Sequence, residues 1–361
     1  MGSVKRFAAI NTKIRALEGQ LLQDRDYQRL LDMSDLSEMV TYLKNKTSYK
    51  EVLDLVESEQ ASIEELEVIF RKTLFKKLQG FIHYFVDDYK KLFRILFMRY
   101  EVEDLKLFIR ALDRNESLEN MLSHMVILGV GKSFDYDKLI QATSLEELVS
   151  ALDGTPYQAL IQYYLNDPPE RRIFYIEMNL DRYYFRQLNA QVDKLAPADQ
   201  KPLKEILGKN TDILNLQWLY RGRRFYNLSS EELLNYTLMG GHALKYKTLK
   251  TLCYASTMDE AVSYIKKSPY GFLIGDKDFE VFMELNMERY IYKEFMHLKK
   301  TNHMNIIESM VYMHQIEYEV RDLFAIFEAK RYGFEKSEIK KYLVRMDEPS
   351  TSVGRGEYSG S

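Results

Sequence analysis

Apolar positions recur along this chain with the period of a helix, and one layout of them is written three times. In the middle copy Ser144 is followed by Leu145, Leu148, Val149 and Leu152, a single stripe on a helix, and Glu147 stands three places after Ser144. That spacing predicts a helix opened by a capping box. An earlier copy has Asp35 and Glu38 with the stripe Leu36, Met39, Val40 and Leu43, and a later one has Thr257 and Glu260 with Met258, Ala261, Val262 and Ile265. The caps are 109 and 113 residues apart. Leu30, Leu139 and Leu252 precede the three copies at one offset, and Tyr49, Tyr157 and Tyr270 close them, the last two after a proline.

Other segments keep the same schedule. Glu177-Met178-Asn179-Leu180-Asp181-Arg182-Tyr183 returns 107 residues later as Glu284-Leu285-Asn286-Met287-Glu288-Arg289-Tyr290, with a blurred version near Glu64 to Phe70. The stretch Tyr100 to Arg110 with Asp104-Leu105 reappears as Asp212 to Arg221 with Asn215-Leu216, and as Tyr318 to Lys330 with Asp322-Leu323. Three helical segments in one order, three times, predict an all-α fold of three pseudo-threefold-related helical domains. Their expected bounds are residues 4–114, 115–225 and 226–347, with 348–361 a tail. The polar run Asp113 to Ser117 marks the first boundary.

Ahead of the first copy, Phe7, Ile10, Ile14, Leu17 and Leu21 predict an amphipathic opening helix, and residues 63–112 predict two or three more. Asn166-Asp167-Pro168-Pro169 should end a helix. Ala196 to Pro202 reads as a loop, and Gly275 to Asp278 as a turn. No segment alternates with a strand's period between hairpin turns.

Composition narrows the function classes. The 361 residues include only 7 prolines and 16 glycines, which suits long helices. A net charge of −3 gives no general attraction to nucleic acid. The single cysteine, Cys253, occupies an apolar slot equivalent to Leu31 and Ile140 and points to a reducing compartment. No apolar run approaches the roughly 20 residues of a membrane span, and Arg6, Lys13 and Arg15 interrupt any signal-peptide core.

Taken together, the opening helix with Ile14-Arg15-Ala16-Leu17-Glu18 and Leu21-Leu22, the three capped copies and the Tyr100 to Arg110 series resemble the C subunit of prokaryotic A/V-type ATPases, the counterpart of the d subunit in the eukaryotic proton pump. The resemblance covers Val4 to about Asp347. It implies a funnel-like collar on the cytoplasmic face of the membrane, whose mouth receives the soluble central-stalk shaft and whose narrow end sits on the membrane c-type (proteolipid) rotor ring. It further implies a noncatalytic rotor subunit that transmits torque for ATP-coupled proton or sodium transport, without a cofactor. Unit one departs from the pattern: no proline precedes Tyr49, and its Glu-x-Asn segment is weak.

Candidate chemistry is sparse. Gly129-Val130-Gly131-Lys132-Ser133 ends like a phosphate loop, but Val126 stands where that loop needs its first glycine. An all-α nucleotide-dependent enzyme using Gly131, Lys132 and Ser133 is therefore the weakest alternative, behind a helical adaptor. The six histidines, His83, His124, His242, His297, His303 and His314, show no metal-ligand spacing with each other or with Cys253. Arg221-Gly222-Arg223-Arg224 is the densest cationic cluster. Its plain reading is favourable charge at a helix C-terminus. Its sharper reading makes Arg221, Arg223 and Arg224 a contact to the shaft or ring.

Overall fold

A computed structural model describes residues 3–56, 61–118, 134–274 and 279–346. Among them are seventeen α-helices and no strand. The opening helix, α1 (Ser3–Glu18), buries Phe7, Ile10, Ile14 and Leu17, as its spacing predicts.

All three capped copies form. They are α3 (Leu36–Lys46), α8 (Leu145–Ala151) and α14 (Met258–Lys266), and the side chains of Asp35, Ser144 and Thr257 accept from the backbone N–H groups of Glu38, Glu147 and Glu260 at 2.8, 3.2 and 3.1 Å. The return half of each box differs from expectation. Each glutamate reaches the N–H one residue before the cap, on Ser34, Thr143 and Ser256. Backbone angle explains the shift. These caps are fully extended, with φ between −133° and −143°, which turns the cap's own N–H away from the first turn. Where φ is near −70°, at Ser62 and Ser229, the glutamate reaches the cap itself. Replacing Ser144 by Ala should cost about 1 kcal/mol in urea unfolding, the usual worth of such a cap; a change indistinguishable from zero would mean the cap is idle.

Between and after the capped helices lie six long ones. They are α5 (Ile63–Gln79), α6 (Asp87–Asp113), α10 (Pro169–Val192), α11 (Pro197–Arg224), α15 (Phe279–Thr301) and α16 (Ile307–Arg331). α6, α11 and α16 each stop at a left-handed residue, Asn115, Asn227 and Gly333, with φ of 56°, 47° and 74°. The N–H groups of Glu116, Leu228 and Phe334 then bond back to carbonyls of the last turns, as αL-terminated helices do. The polar run that marks the first expected boundary is one of these stops.

Two loop expectations change. The proline pair opens α10, with Pro169 in its first turn, where a missing N–H costs nothing. Ala196 to Pro202 is no loop: Ala196 caps α11, Pro197 opens it, and Pro202 lies inside it. The ring of Pro202 forfeits one helical bond, but Asp199 and Pro202 are buried, and Asp199 accepts from the Tyr89 hydroxyl and from Ile306 N–H. Gly275 to Asp278 falls outside the described residues.

Helix pairing follows one rule. α6 packs on α10, α11 packs on α15, and α16 returns to pack on α5. α6 and α11 thus each lie against a helix of the following third of the chain and α16 against one of the first, while α15 also packs on α16 within the last third. The apolar interior follows suit: one core runs from Phe7 to Ile316, while a second joins Leu22–Phe70 to Val320–Leu343.

One short helix carries an acid-sensitive lock. α12 (Ser230–Tyr236) begins with the Ser229–Glu232 capping box, and Glu232 also accepts from the Tyr175 hydroxyl at 2.6 Å and meets Arg171 at 3.2 Å. The Tyr175 bond, with help from Ser229 and Arg171 against partial burial, holds its carboxyl at about 2. A depressed carboxyl stabilises the fold above its unfolded value near 4.5 and loses that contribution as pH falls toward 2. With 30% of the side chain exposed, the contribution is discounted to about 1 kcal/mol. Glu232→Gln should flatten the acid limb of a stability-against-pH curve by that amount; an unchanged limb would remove Glu232 from the account.

Candidate interaction cleft

The three tyrosines that close the capped copies share one task. Tyr157 donates to Glu101 on α6 at 2.9 Å, Tyr270 to Asp212 on α11 at 2.7 Å, and Tyr49 to Glu319 on α16 at 2.8 Å. The acceptors occupy one position of the repeat, three places before Asp104, Asn215 and Asp322, and all six are buried. A buried carboxylate demands partners, and here they arrive from another segment of the chain. Asp212 also accepts from Ala243 and Leu244 N–H at 2.6 and 3.1 Å, and Glu319 from Leu22 N–H at 2.7 Å.

The second position fixes a second strap. Asp104 accepts from the Tyr136 hydroxyl at 2.7 Å, Asn215 clasps both backbone groups of Leu238 at 2.7 and 2.9 Å, and Asp322 accepts from Val344 and Arg345 N–H at 2.8 Å each. Arg345 then turns back to bond Glu319 and the Leu22 carbonyl. On α16, therefore, the two ends of the chain meet at one pair of acids. Burial pushes the carboxyls of Glu319 and Asp322 upward, opposed by Arg345 at the first and by the Val344 and Arg345 amides at the second.

Among α5, α6, α10, α11, α15 and α16 lie two adjoining cavities of about 470 and 510 Å³, which share Arg99, Glu103, Glu288, His314 and Tyr318. Ion pairs stitch their walls. Arg99 and Tyr100 on α6 both hold Glu317 on α16, and Arg321 reaches Glu288 on α15 at 2.9 Å. Despite burial, Arg99 and His314 keep the Glu317 carboxyl below its ordinary value, while burial lowers His314. The walls of the cleft thus carry charge that is paired across helices.

The arginine cluster is divided by the fold. Arg221 approaches Glu284 of α15 at 3.9 Å, as Arg110 bonds Glu177 and Arg331 meets Glu64 at 2.9 Å at the other two helix pairs. Arg223 donates to the Cys253 carbonyl, whereas Arg224 is exposed beside Phe225, itself 67% exposed. Burial raises the Cys253 thiol to about 11, so it is an inert packing residue. Gly129 to Ser133 and His124 lie outside the described residues. Among the described residues no group of His, Cys, Asp and Glu could hold a metal, and no helix is long and apolar enough to cross a membrane. Sequence reading missed Glu101, Asp212 and Glu319; their common offset from the Asp104 series was the available signal.

Residues 10–342 match the model of the ATP synthase (C/AC39) subunit family. The chain belongs to that family. Among its relatives, the A-type ATP synthase C subunit of Methanosphaera stadtmanae is 26% identical over 346 residues, covering 92% of this chain and 86% of that protein. The same subunit of Methanosarcina mazei is 24% identical over 351 residues, 94% of this chain and 92% of its own. That of Thermococcus kodakarensis is 24% identical over 340 residues, 92% and 89%. As a member of the C/AC39 family, this chain is all-helical among its described residues, with buried Tyr–carboxylate joints between its helices.

Proposed function

We propose that this C/AC39 chain is a noncatalytic coupling subunit in the rotor of an A/V-type ATPase. Three helical domains, residues 4–114, 115–225 and 226–347, form a funnel-like collar; the central-stalk shaft seats among the six long helices, and the membrane c-type ring lies at the opposite end. The complex works on the cytoplasmic face of the membrane, coupling ATP turnover to proton or sodium movement.

The observation that carries this reading is the pairing of α6 with α10, α11 with α15 and α16 with α5, each locked by a Tyr–carboxylate bond from the following capped copy. Such a closed cycle around a charge-paired cleft resists shear, which torque transmission requires. Co-purification with the central stalk and the proteolipid ring tests it: capture of both is expected, and capture of neither under native conditions would favour a helical adaptor. Arg221, Arg223 and Arg224 belong to the same proposal as a partner contact. Replacing all three with glutamate should weaken assembly with purified rotor partners, since reversing rim charges slows association; unchanged assembly would discard the contact.

A further inference from the structure

We propose that the cavity between α10 and α11, floored by residues 237–240, is a binding site for a polyphosphate-bearing small molecule. The space is about 600 Å³, within the range of small-ligand pockets, and shares only Phe185 with the central cleft.

Its walls are cationic. Arg182 and Arg186 stand one turn apart on α10, both exposed, and Lys204 faces them from α11. Lys204 is met by Asp193 at 2.7 Å, and Arg186 lies over the Tyr183 ring at 5.7 Å. Neither arginine has a hydrogen bond or ion pair among the described residues. Like charges four residues apart on a helix repel, and an anion between them removes that cost. Guanidinium forks suit phosphate oxygens, which two arginines can grip bidentately. Of the other polar groups lining the space, Asn179 donates to the Leu160 carbonyl at 3.0 Å, Thr237 donates to the Leu234 carbonyl, Asn189 stands beside them, and the Asp193 carboxylate is the one that pairs with Lys204.

An internal comparison singles out this copy. Arg289 is the repeat equivalent of Arg182, and it is fully used: Nε and Nη2 donate to the Leu343 carbonyl at 2.9 and 2.8 Å, and Nη2 also to the Lys341 carbonyl at 2.9 Å. The backbone it closes upon precedes Val344, which Asp322 holds, just as Asn215 holds Leu238. In the third repeat the arginine seals the cleft against its own strap; in the second, Arg182 and the matching Thr237–Leu238 strap border an open cavity. Tyr183, Leu160 and Met239 give that cavity an apolar wall for the body of a nucleotide, whereas an inorganic chain would use the cations alone.

Calorimetric titration of the full chain with sodium tripolyphosphate, ATP and sulfate decides the matter. One polyphosphate per chain is expected, weakened about tenfold or more in Arg182→Ala and further in the Arg182→Ala/Arg186→Ala double variant, the size of a lost charge-assisted contact. Stronger binding of ATP than of tripolyphosphate identifies a nucleotide as the source, and equal binding an inorganic chain. Absence of saturable binding, equal affinity for sulfate, or unchanged affinity in the double variant would overturn the site. Both arginines are exposed, and an unshifted thermal melt confirms that the variants fold.

Discussion

Arg345→Ala should destabilise the chain by roughly 3 to 5 kcal/mol in urea unfolding, the cost of leaving one partner of a buried ion pair alone. Glu319 is fully buried, and among the described residues the guanidinium is its only cationic partner; Tyr49 and Leu22 supply hydrogen bonds but no charge. The loss falls where the two chain ends are joined, because Arg345 also holds the Leu22 carbonyl and, through its own N–H, Asp322. Amide exchange in α2 (Asp24–Asp32) and α3 should therefore accelerate more than in α8 or α14. Removing both charges, in Glu319→Gln with Arg345→Met, should recover much of the stability, since a neutral acceptor still serves Tyr49. A loss under about 1 kcal/mol in Arg345→Ala would mean that water reaches Glu319 and that the ends are not locked there.

The sequence made some of this joint legible and hid the rest, for physical reasons. Caps and stripes are local: Asp35, Ser144 and Thr257 cap their own helices, and their partners lie three residues on. Tyr49, Tyr157 and Tyr270 were visible as fixed points of the repeat. Their acceptors were not, since an acidic residue on a long helix ordinarily faces water, and nothing local says that Glu101, Asp212 and Glu319 are buried. Arg345 was harder still, for it sits beside a polar tail, and its meaning depends on Leu22, 323 positions away. Ala196 to Pro202 misled because two prolines usually mark a loop, whereas tertiary burial of Asp199 and Leu203 overrode that preference. Of the arginine cluster, the sequence located the charge but not that Arg223 is taken by the Cys253 carbonyl.

Gly241→Ala should be nearly as damaging, at roughly 3 kcal/mol, because it puts a methyl where there is a carboxylate. An added Cβ would stand 2.0 Å from Asp212 Oδ1 and 3.0 Å from the Leu244 carbonyl. Asp212 has no easy retreat. Its other oxygen takes donors from Tyr270, Ala243 and Leu244, so moving the side chain breaks the joint between α11 and the third capped copy. Gly240→Ala is the control: its φ of +91° makes alanine strained, but open space surrounds it, so about 1 kcal/mol is expected. In a double-mutant cycle, Asp212→Ala combined with Gly241→Ala should cost less than the two single losses added, because both remove the same joint. Additive losses would show that Gly241 matters for its loop alone. The same variant separates stability from coupling: if a closed cycle of joints stiffens the proposed collar, Gly241→Ala kept folded at low temperature should still lose stalk capture, while Gly240→Ala retains it.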